Sequence, residues 1–196
     1  MAVPGGVFTL GFTMKNCSGA STHLFQMRNL HATKSLYLRR IKIEGRFTGA
    51  ATVAETDTFL IGKFDTATAS ATGATSVVPT RHSSRWATAT IVTSALFKVD
   101  GLVTPGTIKG TAFGTLIVPP IAAVLSTTSI APNLPGHGIY EREFYRRDIK
   151  RPQYWQDELE LLGGTATTAE GLTIYAAGTL TGGTDLTVEI SWEEAA

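Results

Sequence analysis

The sequence predicts an all-β protein, an antiparallel two-sheet β-sandwich of the jelly-roll type. Three observations favour this class: strict apolar and polar alternation in two segments, abundant Thr and Gly, and no long amphipathic helical pattern. Thr is β-branched and favours strands, whereas Gly supplies the turns between them. We predict roughly seven to nine short strands separated by Gly, Pro and Thr turns.

The two clearest strands lie early in the chain and at its end. From Ile41 onward in residues 36–47, and throughout residues 186–192, inward apolar and outward polar positions alternate, which is typical of a strand with one face buried. The inward residues are Ile41, Ile43 and Phe47 in the first segment and Leu186, Val188, Ile190 and Trp192 in the second. Lys42, Glu44 and Arg46 form the outward face of the first. The pattern predicts a sheet that the C-terminal strand closes.

One domain is the expected organisation. A chain of 196 residues with 43% hydrophobic content can build a sizeable core, and β-sandwiches of this length occur as single domains. Residues 1–34 are predicted to form an arm or edge strand that begins with a strand over Val7–Met14, and His23–His31 fits either an irregular arm or a short helix. Residues 35–196 are predicted to form the sandwich, interrupted by a charged and aromatic insertion at about 139–162.

Charge and hydropathy argue against two classes of partner. The formal net charge is +1, so no global basic field attracts nucleic acid or an anionic membrane. No apolar run reaches the roughly 18 residues that a membrane helix needs. The N-terminus lacks the basic and apolar regions of a secretory signal, so we expect synthesis in a cytoplasm.

The sequence contains no motif that indicates catalysis, a metal or a cofactor. Cys17 is the single cysteine, which excludes an intrachain disulfide and a multi-cysteine zinc site. The four histidines are scattered, and none has a spacing typical of metal ligands. They are His23, His31, His82 and His137. We therefore expect a non-enzymatic protein without a cofactor.

Paired carboxylates, as in glycosidases, are the remaining catalytic option. The candidates lie in charged segments, where a solvated face is the better interpretation. They are Glu141, Glu143, Asp157, Glu158 and Glu160.

The insertion is the one segment whose composition differs from that of the predicted strands and turns. Residues 139–155 gather five of the chain's Lys and Arg residues and five aromatic residues, with acidic residues interspersed. Mixed charge with aromatics and Arg is typical of a protein interface, whereas the acidic residues would repel nucleic acid. The predicted interface residues are Tyr140, Arg142, Phe144, Tyr145, Arg146, Arg147, Lys150, Arg151, Tyr154 and Trp155. The alternative is a long loop folded over the protein's own core.

At the end of the insertion, residues 157–162 before Gly163 fit a short helix.

The order of strands resembles jelly-roll structural proteins of tailed-phage virions, and within them capsid decoration (cement) proteins. The residues that carry the resemblance are Leu-Arg-Arg-Ile-Lys-Ile-Glu-Gly at 38–45, Gly-Thr-Leu-Ile-Val-Pro at 114–119 and Leu-Thr-Val-Glu-Ile-Ser-Trp-Glu-Glu at 186–194. The layout covers residues 35–194, and the insertion and the N-terminal segment depart from it.

The resemblance implies a non-enzymatic virion component on the capsid surface that binds the major capsid protein. It also implies a homo-oligomer, with a trimer favoured, and offers no catalytic residues. A carbohydrate-binding sandwich of a head fibre or tail, which recognises a host-surface glycan through Tyr154 and Trp155, is the second hypothesis. A glycoside hydrolase using Glu158 or Glu160 is the third.

Overall fold

A computed structural model of the chain describes residues 6–20, 23–48, 56–64, 75–82, 96–103, 111–119, 136–144, 159–165 and 168–194. These residues form twelve strands and no helix, which confirms the predicted all-β class. The strands are β1 (Val7–Ala20), β2 (His23–Arg28), β3 (Leu36–Phe47), β4 (Asp57–Phe64), β5 (Thr75–Ser76), β6 (Thr80–Arg81), β7 (Leu96–Val103), β8 (Gly114–Val118), β9 (His137–Glu143), β10 (Leu159–Leu161), β11 (Gly171–Ala176) and β12 (Thr179–Glu194).

The strands form two antiparallel sheets. Sheet A has the order β10-β3-β12-β1-β6, and β9 also pairs with β3. Sheet B has the order β5-β7-β2-β11-β4-β8. Buried residues of both sheets form one hydrophobic cluster, so the sheets are the two layers of a sandwich.

The pairing order identifies the sandwich as a jelly roll. The first four strands pair in reverse order with four later ones: β1 with β12, β2 with β11, β3 with β9, and β4 with β8. The four pairs form one long antiparallel hairpin that folds over on itself. The additional pairs β3–β12 and β4–β11 join neighbouring parts of this hairpin within the two sheets. The predicted fold is therefore confirmed, with β5, β6, β7 and β10 added to the eight strands of the roll.

The N-terminal segment differs from the predicted arm. β1 lies between β12 and β6 in sheet A, and β2 lies between β7 and β11 in sheet B, so residues 7–28 supply an interior strand to each sheet. Phe8, Leu10 and Met14 of β1 are buried, because their shared parity faces the second sheet. β2 replaces the irregular arm or short helix that was predicted for His23–His31. The segment is therefore part of the sandwich, and the division at residue 34 is not a structural boundary.

β3 and β12 pair along most of their lengths and bury the predicted faces. Ile41 lies opposite Ile190, and Ile43 lies opposite Val188, and all four side chains are buried. The one irregularity falls at Arg39, since Arg40 pairs with Ser191 and Leu38 pairs with Trp192. This extra residue is a β-bulge, and it allows Leu38 and Ile41 to point inward although three positions separate them.

The short helix predicted over residues 157–162 is wrong where the structure describes it. Leu159–Leu161 is strand β10, which pairs with Leu36–Leu38 of β3. Leu161 is fully buried and Leu159 packs against the core, as the period of two in a strand requires.

The close approach of the two sheets at Gly45 gives a first prediction. A Cβ there would overlap Cγ2 of Val118 and lie 3.3 Å from Cδ2 of Leu116, both in sheet B. Gly45→Ala is therefore expected to lower the free energy of unfolding by about 2 kcal/mol. The measurement is urea denaturation followed by tryptophan fluorescence.

Gly11→Ala is the matched control in the same sheet, because a Cβ at Gly11 has nothing within 4 Å. It is expected to raise the free energy of unfolding by up to about 0.5 kcal/mol, since Ala restricts the unfolded chain. Equal effects of the two substitutions would contradict the packing described here.

Candidate functional site

The structure describes three of the ten predicted interface residues. Tyr140 and Arg142 are in β9, and Phe144 follows it directly. The other seven lie outside the described residues, and they are Tyr145, Arg146, Arg147, Lys150, Arg151, Tyr154 and Trp155.

Tyr140 and Phe144 pack against the protein itself. Tyr140 lies opposite Ile43 of β3, on the inward face of sheet A, and its ring covers Gly114 of β8. Burial raises the pKa of the Tyr140 hydroxyl. Phe144 is 3% exposed and belongs to the core cluster, so its assignment to an exposed interface is corrected.

Arg142 joins the edges of the two sheets. Its Nη1 donates a hydrogen bond of 2.9 Å to the carbonyl oxygen of Phe113, the residue before β8. Its guanidinium carbon lies 5.9 Å from the ring centroid of Phe113 and 5.3 Å from that of Phe144, within the range of cation–π contacts. The two rings meet edge to face at 6.0 Å. For these residues the alternative interpretation holds, since they cover the protein's own core.

β9 and β10 hold both ends of residues 145–158 on one strand. Glu143 of β9 lies opposite Arg40, and the N–H of Phe144 donates to the carbonyl oxygen of Arg39 at 2.7 Å. The chain returns at Leu159, which lies opposite Leu38. The predicted insertion therefore begins and ends as strands of sheet A, and the described residues Phe144 and Leu159 lie at neighbouring positions along β3.

The outward face of sheet A next to this base is charged and internally paired. Arg40 contacts Glu141 of β9 at 2.7 Å and Glu189 of β12 at 3.3 Å, and its hydrogen bond with Glu141 raises the pKa of the guanidinium. Lys42 and Glu44 are 2.5 Å apart, and this contact raises the pKa of Lys42 and lowers that of Glu44. Arg40 and Lys42 therefore each contact at least one carboxylate on this face.

Arg39 and Glu193 form a further ion pair between β3 and β12. It lies at the bulge, beside the point where Phe144 leaves β9. The strand that carries both ends of residues 145–158 is therefore also tied to β12 through side chains.

A second set of contacts fixes β10 from the side of sheet B. Lys63 of β4 and Glu170, the residue before β11, form an ion pair of 2.6 Å. Nζ of Lys63 also donates to the carbonyl oxygen of Glu160 at 2.8 Å, and the Glu170 carboxylate accepts from the N–H of Leu162 at 2.8 Å. No local pattern in the sequence indicates this pair, because its members meet only through the fold.

Two of the candidate carboxylates, Asp157 and Glu158, lie outside the described residues, whereas His31 and Glu160 make contacts within the fold. Nδ1 of His31 accepts from the N–H groups of Thr33 and Lys34, so it stabilises a turn. Glu160 accepts a hydrogen bond of 3.0 Å from the Tyr37 hydroxyl. Among the residues that the structure describes, no group of three or more His, Cys, Asp or Glu side chains is placed to hold a metal ion. No helix long and apolar enough to cross a bilayer occurs in that part of the chain.

Comparisons with known proteins give no relative. No protein-family model matches the chain, no curated protein is similar to it, and no solved structure matches it.

The burial of Phe144 gives a second prediction. Phe144→Ala is expected to lower the free energy of unfolding by about 3 kcal/mol, since it empties part of the core and removes the ring beside Arg142. Ile139→Ala is the control on the same strand, because Ile139 is 57% exposed. Its effect is expected to stay within about 0.5 kcal/mol. Chemical denaturation of both variants checks this, and a neutral Phe144→Ala would restore Phe144 to the candidate interface.

Proposed function

We propose that this chain is a non-enzymatic structural protein of a tailed-phage virion. Its role is that of a capsid decoration protein, which binds the shell of major capsid protein and stabilises it. The proposal places the protein on the capsid surface as a homo-oligomer, with a trimer favoured, and includes no nucleic acid, membrane or cofactor as a partner.

The observation that carries the proposal is the shared base of residues 145–158. β9 and β10 pair with the same edge of β3, so the segment starts and ends at a fixed place on a packed sheet. Binding residues on connections between rigid strands are a common arrangement, because the scaffold fixes where the connection begins.

The composition of the segment supports contact with a charged protein surface. Four positive charges and one negative charge lie between Tyr145 and Arg151, and Tyr154 and Trp155 follow. On the neighbouring face of sheet A, the cations Arg40 and Lys42 contact carboxylates, whereas the sequence of residues 145–151 carries an excess of positive charge. Aromatic and Arg side chains contribute most to binding in protein interfaces, and complementary charge directs association.

The jelly roll suits a protein that must stay folded while its surface binds. The resemblance to virion jelly rolls noted from the sequence favours a shell as the partner. Many copies on one particle would bind with the advantage of multivalency, and each bound copy would stabilise the assembled shell by mass action.

The third prediction tests the basic cluster. In the variant with Arg146, Arg147, Lys150 and Arg151 changed to Glu, affinity for virions of the encoding phage that lack the chain is expected to fall at least about 100-fold. The urea midpoint of the isolated variant is expected to stay unchanged, because the described core does not use these residues. Co-sedimentation of purified chain with the particles measures the affinity.

A charge-preserving variant with Arg146, Arg147 and Arg151 changed to Lys is the matched control and is expected to bind within about tenfold of the wild type. If the Glu variant binds the particles as well as the wild type does, the basic cluster is rejected as the surface that contacts the shell. Failure of the wild-type chain to sediment with particles, together with binding to a glycan array, would replace the proposal by carbohydrate recognition.

A further inference from the structure

β10 is a short strand of sheet A that, like β6, lies outside the jelly roll. It pairs with β3 through three residues only, and it is not one of the eight strands of the roll. Its one fully buried side chain is Leu161. A strand with so short a ladder has little backbone pairing to hold it in place.

The backbone of β10 is bound by side chains that come from outside sheet A. Lys63 of β4 donates to the carbonyl oxygen of Glu160, and the Glu170 carboxylate accepts the N–H of Leu162. The main-chain N–H of Glu170 also donates to the carbonyl oxygen of Leu162, at 3.0 Å. Both ends of this short stretch are therefore held by the Lys63 and Glu170 pair.

Asn29, in the turn after β2, adds a neutral contact to the same stretch. Its Nδ2 donates to the carbonyl oxygen of Leu161 at 2.9 Å and to that of Lys34 at 2.7 Å. Its Oδ1 accepts the N–H of His31 at 3.2 Å. Asn29 therefore links β10 to the turn that leads into β3.

The Lys63 and Glu170 pair is shielded enough for its loss to matter. The side chain of Glu170 is 5% exposed and that of Lys63 is 21% exposed, at a separation of 2.6 Å. Removing Lys63 takes an ion-pair contact away from a buried carboxylate, which costs more than the loss of an exposed pair. The exposed Lys42 and Glu44 pair, with side chains 32% and 39% exposed, provides the comparison.

We infer that Lys63 and Glu170 form a latch that holds β10 on β3, and that without the latch β10 opens locally while the roll stays folded. The reason is that the backbone of β10 depends on this pair, whereas β3 keeps its full ladder with β12. Because β10 continues directly from residue 158, the latch also fixes the C-terminal base of residues 145–158. This last consequence rests on the proposed function, and the opening of β10 does not.

Hydrogen exchange of backbone amides, resolved by residue, tests the latch. In Lys63→Met and in Lys63→Met with Glu170→Gln, the amides of residues 160–163 are expected to exchange at least about tenfold faster than in the wild type. The amides of Ile41 and Ile190 in the β3–β12 ladder are expected to keep their wild-type rates. Lys63→Arg keeps the charge and is expected to restore most of the protection.

Lys42→Met is the matched control, and it is expected to leave residues 160–163 unchanged. An equal rise in exchange across the whole protein in the Lys63 variants, or no rise at residues 160–163, would overturn the latch. Binding of the same variants to the particles separates the two proposals. Wild-type binding by Lys63→Met would reject the role of the latch in positioning residues 145–158 for binding, but not its role in holding β10. Absence of binding by the wild-type chain would reject the proposed function, and the exchange result alone would then decide the latch.

Discussion

The antiparallel ladder between β3 and β12 is the interaction on which the rest of the structure depends. It joins an early segment to a late one, at the middle of sheet A, and it buries matched apolar residues along its inward face. On the side away from β3, β12 pairs with β1. On the side away from β12, β3 pairs with β9 and β10. Without this ladder the long hairpin formed by the first and last strands would not fold into two layers.

The position of β3 explains how one strand serves both the fold and the candidate site. Its inward residues belong to the core, its outward Arg40 contacts carboxylates of β9 and β12, and its edge pairs with both β9 and β10. The bulge at Arg39 falls between the two points of attachment. Under the proposed function, this strand anchors the two strands that flank residues 145–158, and the basic residues of that segment contact the partner.

Much of the fold could be predicted from the sequence because a period of two is a local property. The alternation around Ile41 and around Ile190 indicates a strand at each place, whichever strand pairs with it. The pairing of strands is a property of the whole chain, so a strand was predicted over Val7–Met14 but was placed in an arm or at a sheet edge. Leu159–Leu161 is too short to show a period, and its place as a strand is decided by the edge of β3.

The candidate site was harder to predict for the same reason. Composition grouped Tyr140, Arg142 and Phe144 with the residues that follow them, whereas the structure packs all three against the protein. A signal was present, since Glu141 and Glu143 occupy the opposite parity and mark the outward face of a strand. No local signal could have paired Lys63 with Glu170, because more than a hundred residues separate them.

Under the proposed function, electron cryomicroscopy of intact phage virions that carry the chain tests the central claim most directly. A density map is expected to show the jelly roll on the outer surface of the capsid, with residues 145–158 in contact with major capsid protein and sheet A turned toward that contact. A virion without density for the chain, or a chain bound to the shell through a surface remote from β9 and β10, would contradict it.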